Sequence, residues 1–238
     1  MTMRFFEPAE LTAARVLVVA PHPDDEALGC GGLLWHLARL GREIHVVFVT
    51  DGGASHQNSP TWPRPRLAAQ REREAGEALR LLGLADAQRS FLRLRDADMP
   101  AAGSPEEKQS LHSAAGIVAG FSPDLVILPW RRDPHRDHRD SWRLFMQVIR
   151  ESPIHPDVLE YAIWLDEFGA PEDHPRENEM ETIHIGIGAA ITAKREAVLA
   201  HRTQVGEMIT DDPTAFRLTA ETIDRLVGPS ERYLRPRP

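Results

Sequence analysis

A histidine, two aspartates and a glutamate lie within five positions of one another near the start of the chain, in the segment APHPDDEALGCGG at 20–32. His22 offers an imidazole nitrogen and Asp25 a carboxylate oxygen, and divalent metal ions accept both as ligands in proteins. Carboxylates placed this close together repel one another, so that either their pKa values rise or a cation holds them. The spacing therefore favours a metal site.

Two simpler interpretations of this segment stay open. Asp24 or Asp25 could serve only as the N-cap of a following helix, because aspartate is favoured there and carboxylates suit the positive end of a helix. Capping explains one carboxylate and leaves the other acidic residues and the histidine unexplained. The glycines of GCGG at 29–32 could instead cradle a phosphate. Three acidic residues at the same end would repel that phosphate unless a metal intervened.

A second group of candidate ligands follows a later apolar run, in RRDPHRDHRD at 131–140. His135 and His138 are three positions apart, so on a turn their side chains point in similar directions. Asp137 could hold an imidazole in place by accepting the hydrogen of its other ring nitrogen. The simpler interpretation is a solvated turn in a charged loop. Two loops that both carry histidines and carboxylates are harder to explain by chance than one, so we favour the metal site.

The elements around these residues predict that the two loops meet. Each loop follows a short apolar run, RVLVVA at 15–20 and DLVILPW at 124–130, of the kind that forms a strand buried on both faces of a parallel sheet. Leucines at helical spacing over 27–40, with Gly41 after them, predict a helix behind the first loop. In open α/β sheets the ligand crevice lies at the carboxyl ends of the strands. We therefore expect both loops to line one crevice.

The rest of the chain continues this alternation of strands and helices. It predicts an α/β fold, Rossmann-like, with a mainly parallel sheet and helices on both faces. Residues 1–14 are interpreted as a lead-in, and the whole chain, 1–238, as a single domain. Further strands are predicted at 43–50, 90–94, 159–165 and 182–187, further helices at 67–82, 106–120, 142–150, 193–204 and 213–227, and specificity loops at 54–66, 96–105 and 166–180.

Charge and composition exclude several classes of partner. Acidic residues outnumber basic ones by 36 to 28, which argues against a nucleic-acid partner because binding to phosphates depends on clustered Lys and Arg. No segment approaches the roughly 18 apolar residues of a membrane span. Cys30 is the single cysteine, which excludes an internal disulfide, and we interpret it as a buried packing residue. With no apolar signal segment at the start, a cytoplasmic location is expected.

The two loops, PHPDDE at 21–26 and HRDH at 135–138, together resemble those of the LmbE-like, PIG-L family of zinc-dependent N-deacetylases. The segments TDG at 50–52, RERE at 71–74 and KREAVLAHRTQ at 194–204 are also similar to family features. The resemblance implies a Rossmann-type LmbE-like domain that removes acetyl groups from small N-acetylglucosamine-containing or related substrates. One departure is Arg136, which stands where the family often has proline.

Carried over by position, the resemblance implies that His22, Asp25 and His138 bind one zinc ion per chain. Three protein ligands leave a fourth coordination position open for water, as a catalytic zinc site requires. Asp24 would then be the general base that takes a proton from that water.

The resemblance implies further roles outside the ligand set. His135, oriented by Asp137, would polarise the amide oxygen or protonate the leaving amine. Arg71 is similar to a family arginine that reaches the substrate, although Arg73 lies two positions away on the same predicted helix. His201 matches the last of the similar segments and is a candidate for lining the pocket.

Two other functions stay open. One is a metal-dependent hydrolase that acts on an ester or phosphoester bond. The other is a nucleotide-binding Rossmann-like module without catalysis, against which stands the lack of GxGxxG after the first predicted strand. The sequence names neither the exact substrate nor the oligomeric state, and leaves a homo-oligomer open.

Overall fold

The computed structural model describes residues 3–237; residues 1 and 2, at the start of the expected lead-in, and residue 238 lie outside the described part. The strands are β1 (Met3–Phe6), β2 (Arg15–Ala20), β3 (Glu43–Thr50), β4 (Gln88–Leu94), β5 (Leu125–Pro129), β6 (Asp157–Tyr161), β7 (Met180–Gly186) and β8 (Ser230–Pro236). The α-helices are α1 (Asp25–Arg39), α2 (Arg64–Leu81), α3 (Pro105–Phe121), α4 (Arg136–Glu151), α5 (Leu165–Phe168), α6 (Ile191–Leu199) and α7 (Ala220–Leu226).

All eight described strands belong to one sheet, in the order β1-β7-β8-β6-β5-β2-β3-β4. Every neighbouring pair is parallel except those of β8, which runs antiparallel to both β6 and β7. Strand β2 lies inside the sheet, with β3 on one side and β5 on the other. The carboxyl ends of β2 and β5 are therefore adjacent, and the loops that follow them meet.

Alternation along β2 places apolar side chains on both faces of the sheet. Val16 and Val18 pack into one buried cluster with residues of α1, α2 and α6, whereas Leu17 and Val19 pack into another with residues of α3 and α4. Each side chain of this size contributes roughly 1.5–3 kcal/mol when it is fully buried. The two clusters account for helices on both faces, and the predicted α/β fold class with a mainly parallel sheet is confirmed.

Helix α4 begins at Arg136, six residues before the predicted start at 142. His135 is its N-cap, and the ring Nδ1 accepts a hydrogen bond from the Asp137 backbone N–H at 3.2 Å. Histidine is not a common N-cap residue, which is why the charged segment did not predict a helix. The consequence is that His138 lies on the first turn of a helix and not in a loop.

The predicted helix at 213–227 is observed only as α7. Thr219 caps α7 by accepting a hydrogen bond from the backbone N–H of Thr222 at 3.1 Å. Asp211 and Asp212, just before the predicted start, do not cap a helix and accept hydrogen bonds from Ser59 Oγ at 2.6 Å and from the Asn58 N–H at 2.9 Å. The two aspartates therefore hold the loop that precedes α2 in place by hydrogen bonds.

Strands β1 and β8 were not predicted. The carboxylate of Glu231 in β8 is buried, and it accepts hydrogen bonds from the backbone N–H groups of Gly32 at 2.7 Å and Leu33 at 2.9 Å. It also binds Lys194 Nζ at 2.7 Å. A strand that buries a charged residue lacks the apolar pattern by which buried strands are recognised. No helix in the described part of the chain is long and apolar enough to cross a membrane.

Candidate active site

The end of β2 and the start of α1 form the floor of the site. Asp25 is the first residue of α1, and its Oδ2 accepts a hydrogen bond from the backbone N–H of His22 at 2.9 Å. The same oxygen lies 3.2 Å from Nδ1 of the His22 ring. Both side chains are nearly inaccessible, so the loop holds them in a fixed relation to each other.

The first turn of α4 brings His138 to this floor. Its Nε2 lies 3.3 Å from Asp25 Oδ2, and its Nδ1 lies 3.5 Å from Asp133 Oδ1. The ring is fully buried, yet neither ring nitrogen makes a hydrogen bond with any described residue. Its nitrogens therefore face carboxylates at ion-pair distance, and a metal ion could bind between such a nitrogen and a carboxylate oxygen.

The donor atoms converge closely enough to share one ion. One nitrogen from each of His22, His135 and His138 lies within 4.8 Å of the others, and His22, Asp96 and Asp137 form a second such group. Ligands about 2.0–2.2 Å from a tetrahedral zinc ion are separated by roughly 3.3–3.6 Å. Asp25 Oδ2 lies at a similar distance from His138 Nε2, 3.3 Å. The residues present therefore fit a metal ion.

Protonation of the two histidines supports the same conclusion. Burial lowers the pKa of His138, but the carboxylates of Asp25 and Asp133 outweigh burial and raise it to about 10. Burial also opposes the charge on His22, yet hydrogen bonds to Asp137 and Asp25 hold its pKa well above the usual value. The surrounding carboxylates thus attract positive charge, and a divalent cation would supply it in exchange for these protons.

Asp24 lies beside the donor cluster and pairs with an arginine. Its Oδ2 is 3.0 Å from Nη2 of Arg71. Burial raises the pKa of Asp24 to about 6, and the charge of Arg71 limits that rise.

Arg71 is almost fully buried. It donates to the backbone oxygens of Gly52 at 2.9 Å and Pro23 at 3.0 Å. At Gly52, whose φ is +61°, an added Cβ would lie 2.7 Å from the guanidinium carbon. The arginine expected to reach the substrate therefore also fixes the position of Asp24.

His135 and Asp137 lie in the site, but not in the expected relation. The Asp137 carboxylate contacts His22 Nε2 at 3.2 Å and accepts the Ala97 N–H at 2.8 Å, so it does not bind the His135 ring. The carboxylate contact expected between Asp137 and His135 is not observed; because the helix starts at Arg136, Asp137 instead holds that ring through its backbone N–H, which donates to Nδ1 at 3.2 Å. With Nδ1 accepting this hydrogen bond, a neutral His135 carries its hydrogen on Nε2. Burial lowers the pKa of His135 to about 4, which favours the neutral ring.

Two aspartates in the site were not assigned a role from the sequence. Asp96 Oδ1 lies 3.3 Å from His22 Nε2, and its other oxygen accepts the Ala54 N–H at 2.8 Å. Asp133 accepts hydrogen bonds from the His135 and Trp164 backbones at 3.0 and 3.2 Å. Each of them follows a strand that ends at this crevice, and that position was the available signal.

His201 does not reach the pocket. It is fully buried, and its Nε2 lies 3.1 Å from Glu26 Oε1 behind the start of α1. Helix α6 ends at Leu199, before the predicted end at 204, and the chain then turns inward. The expected contact between His201 and a substrate is therefore not observed.

The site opens into a pocket of about 560 Å³, within the range of small-molecule sites. Its floor includes His22, Asp24 and Asp25, with Arg71 and His135 beside them. The loop before α2 forms one wall. Aromatic side chains form the mouth, namely Trp164, Phe168 and Phe216.

Comparisons with known proteins agree with this geometry. A curated relative, the 1D-myo-inositol 2-acetamido-2-deoxy-alpha-D-glucopyranoside deacetylase of Corynebacterium kroppenstedtii, is 28% identical over 159 residues. That match covers 58% of this chain and 41% of the relative, so the chain spans about two-fifths of its length.

Solved structures share the fold over nearly the whole chain. The N,N'-diacetylchitobiose deacetylase of Pyrococcus horikoshii has a TM-score of 0.68 at 21% identity, covering 94% of this chain and 85% of its own. GalB, the 4-carboxy-2-hydroxymuconate hydratase of Pseudomonas putida KT2440, has a TM-score of 0.64 at 20% identity, covering 94% of this chain and 97% of its own.

The model of the family PIG-L, GlcNAc-PI de-N-acetylase, matches residues 17–149, which include both loops of the site. The chain therefore belongs to the PIG-L family.

Proposed function

We propose that this chain is a zinc-dependent N-deacetylase that hydrolyses the N-acetyl amide of an amino sugar or amino-sugar conjugate. The observation that carries the proposal is that Asp25 Oδ2 lies 3.2 Å from His22 Nδ1 and 3.3 Å from His138 Nε2, with the Asp24 carboxylate at the pocket floor beside His22 and Asp25. The names of curated relatives add weight, since one of them deacetylates an N-acetylglucosamine conjugate. A single domain over 1–238 and a cytoplasmic location remain part of the proposal.

His22, Asp25 and His138 would hold one zinc ion, a set of nitrogen and oxygen ligands that zinc accepts. When bound there, zinc supplies Lewis-acid chemistry and lowers the pKa of water from 15.7 to about 7. Asp96 and Asp137 contact the other nitrogen of His22, at 3.3 and 3.2 Å, and so hold the orientation of that ring.

Asp24 would act as the general base. Its carboxylate is held by Arg71 at the pocket surface, where it can accept a proton from the attacking water. The water oxygen forms a bond to the amide carbon, and the C–N bond breaks. Asp24 then returns the proton to the departing nitrogen, so that acetate and a primary amine leave. General acid–base catalysis of this kind contributes roughly 10²–10⁴-fold.

His135 would stabilise the charge that develops on the amide oxygen. Because its Nδ1 accepts the Asp137 N–H, its Nε2 is the ring atom that donates. Removing one such donor typically raises the barrier by about 2.7–4 kcal/mol. The helix cap therefore selects the tautomer that this role needs.

The experiment is an assay of primary-amine and acetate release from N-acetylglucosamine and its glycosides. Metal-free protein should be inactive and should regain activity with zinc. Asp24→Asn should retain metal and lose most turnover, whereas Asp98→Asn, whose side chain is 75% exposed, should behave as wild type. Amine release that survives complete metal removal would contradict the proposal. So would hydrolysis of esters or phosphoesters with no amide cleaved.

A further inference from the structure

Three aromatic residues form the mouth of the active-site pocket, and we refer to them as the aromatic rim: Trp164, Phe168 and Phe216. The Trp164 ring centroid lies 5.7 Å from that of Phe168 and 5.6 Å from that of Phe216. Phe168 is 64% exposed and Phe216 is 39% exposed. Large apolar side chains that stay exposed together beside a pocket indicate a binding surface.

The rim is held in position by the same structure that holds the catalytic residues. Asp133 Oδ2 accepts the Trp164 N–H at 3.2 Å, while its Oδ1 lies 3.5 Å from His138 Nδ1. Phe168 ends the short helix α5, where its N–H binds the Trp164 backbone oxygen at 2.9 Å. The Phe216 N–H binds the Ser55 backbone oxygen at 3.1 Å. The rim and the donor cluster therefore have a fixed separation.

The charges inside the pocket limit what can occupy it. Four aspartates line the pocket, and Arg71 is the one arginine or lysine among the described lining residues. Arg71 is already paired with Asp24. Gln204 Oε1 adds a buried acceptor that makes no hydrogen bond with any described residue. The interior thus suits the hydroxyl groups of a sugar, and among the described lining residues no unpaired arginine or lysine is available to bind a phosphate or carboxylate.

We propose that the aromatic rim binds the aglycone of the substrate and selects an uncharged, apolar group, such as an aryl or alkyl substituent, over an anionic one. This inference rests on the proposed deacetylase function, because the acetamido sugar must lie on the pocket floor. An apolar substituent on the sugar then extends to the mouth and packs against Phe168 and Phe216. An anionic substituent in the same place loses its hydration and finds no unpaired arginine or lysine among the described residues that line the pocket.

The test compares amine release from free N-acetylglucosamine with release from its phenyl and 4-carboxyphenyl glycosides, in both anomers. For one anomer, kcat/KM should be about tenfold higher for the phenyl glycoside than for the free sugar, the scale of one good apolar contact. The added carboxylate should remove that advantage. Phe168→Ala and Phe216→Ala should each reduce the ratio of phenyl glycoside to free sugar. Phe5→Ala is the matched control, since Phe5 is 69% exposed on edge strand β1, outside the pocket.

Calorimetric binding of the same sugars to the Asp24→Asn protein gives a second readout that needs no turnover. Tighter binding of the phenyl glycoside, lost in Phe168→Ala, supports the inference. Equal binding of all three sugars, or a preference that survives both rim substitutions, overturns it and leaves the deacetylase function standing. If no sugar is deacetylated by metal-loaded protein, the proposed function fails, and the inference that rests on it fails with it.

Discussion

Asp24 Oδ2 and Arg71 Nη2 are 3.0 Å apart at the floor of the pocket, and both side chains are nearly inaccessible to solvent. Arg71 belongs to α2 and Asp24 to the loop after β2, so the pair connects a helix to one of the two loops that form the site. The guanidinium also binds the carbonyl of the residue before Asp24. Arg71 therefore holds Asp24 both by its carboxylate and by the backbone of the residue before it.

Replacing Arg71 with lysine should lower kcat strongly. Lysine keeps the charge but loses the planar fork that binds Asp24 and two backbone oxygens at once. We expect a fall of about 10²-fold, the scale of a small misplacement of a catalytic group. Bound metal should be unchanged by elemental analysis. Arg73→Lys, at an exposed position two residues on, should behave as wild type, and equal losses in both variants would remove Arg71 from this role.

Replacing His138 with alanine should abolish metal binding. The wild-type ring has two buried nitrogens without hydrogen-bond partners, and one lies 3.3 Å from Asp25. We expect less than stoichiometric zinc after equilibrium dialysis and no amine release. The matched control is His155→Ala, at an exposed position. Stoichiometric zinc in the His138 variant would favour the group of His22, Asp96 and Asp137 instead.

Removing the buried carboxylate of Glu231 should destabilise the fold. Glu231→Leu leaves Lys194 as an unpaired buried charge and removes the carboxylate that accepts from two backbone N–H groups of α1. Breaking one side of a buried pair costs about 3–5 kcal/mol. Urea unfolding should report this loss in the free energy of unfolding.

A control and a rescue refine the Glu231 test. Glu181→Leu removes a carboxylate that is only partly buried, 3.6 Å from Arg235, and should cost much less. The double variant Glu231→Leu with Lys194→Met should recover part of the loss, because no lone charge then remains buried. A single Glu231 variant as stable as wild type would contradict the assignment.

Stability should fall in mild acid partly because of His45. Its Nε2 lies 2.9 Å from Ser90 Oγ, and burial lowers its pKa below 6.5. A histidine whose pKa is lower in the folded state contributes stability above pH 6.5, which is lost as the pH falls below that value. We expect His45→Gln to reduce the slope of unfolding free energy against pH between about 6.5 and 5. An identical slope in both proteins would exclude this contribution.

The sequence predicts the central part of this molecule well, because periodicity and chemistry agree there. Strands β2 and β3 begin and end at the predicted residues, since each is rich in apolar β-branched residues. The loops that follow β2 and β5 were expected to meet, and the distance of 3.3 Å between His138 and Asp25 agrees with that expectation.

What the sequence left open depends on contacts between distant residues. Asp96 became visible as a site residue only when β4 placed it next to His22. His201 matches a family segment, yet the position where α6 ends turns it toward Glu26. Strand β8 is stabilised by pairing on both sides rather than by its own apolar pattern. Local propensity carries little information about any of these three.

The position of β8 also determines the order in which the sheet can be completed during synthesis. Strands β1 and β7 pair with each other and connect to the remaining strands only through β8. Among the described strands, residues 3–6 are synthesised before the others and residues 230–236 after them. The nascent chain must therefore hold its first strand out of the sheet until its last described strand has left the ribosome, and folding that waits on such distant pairing is slow.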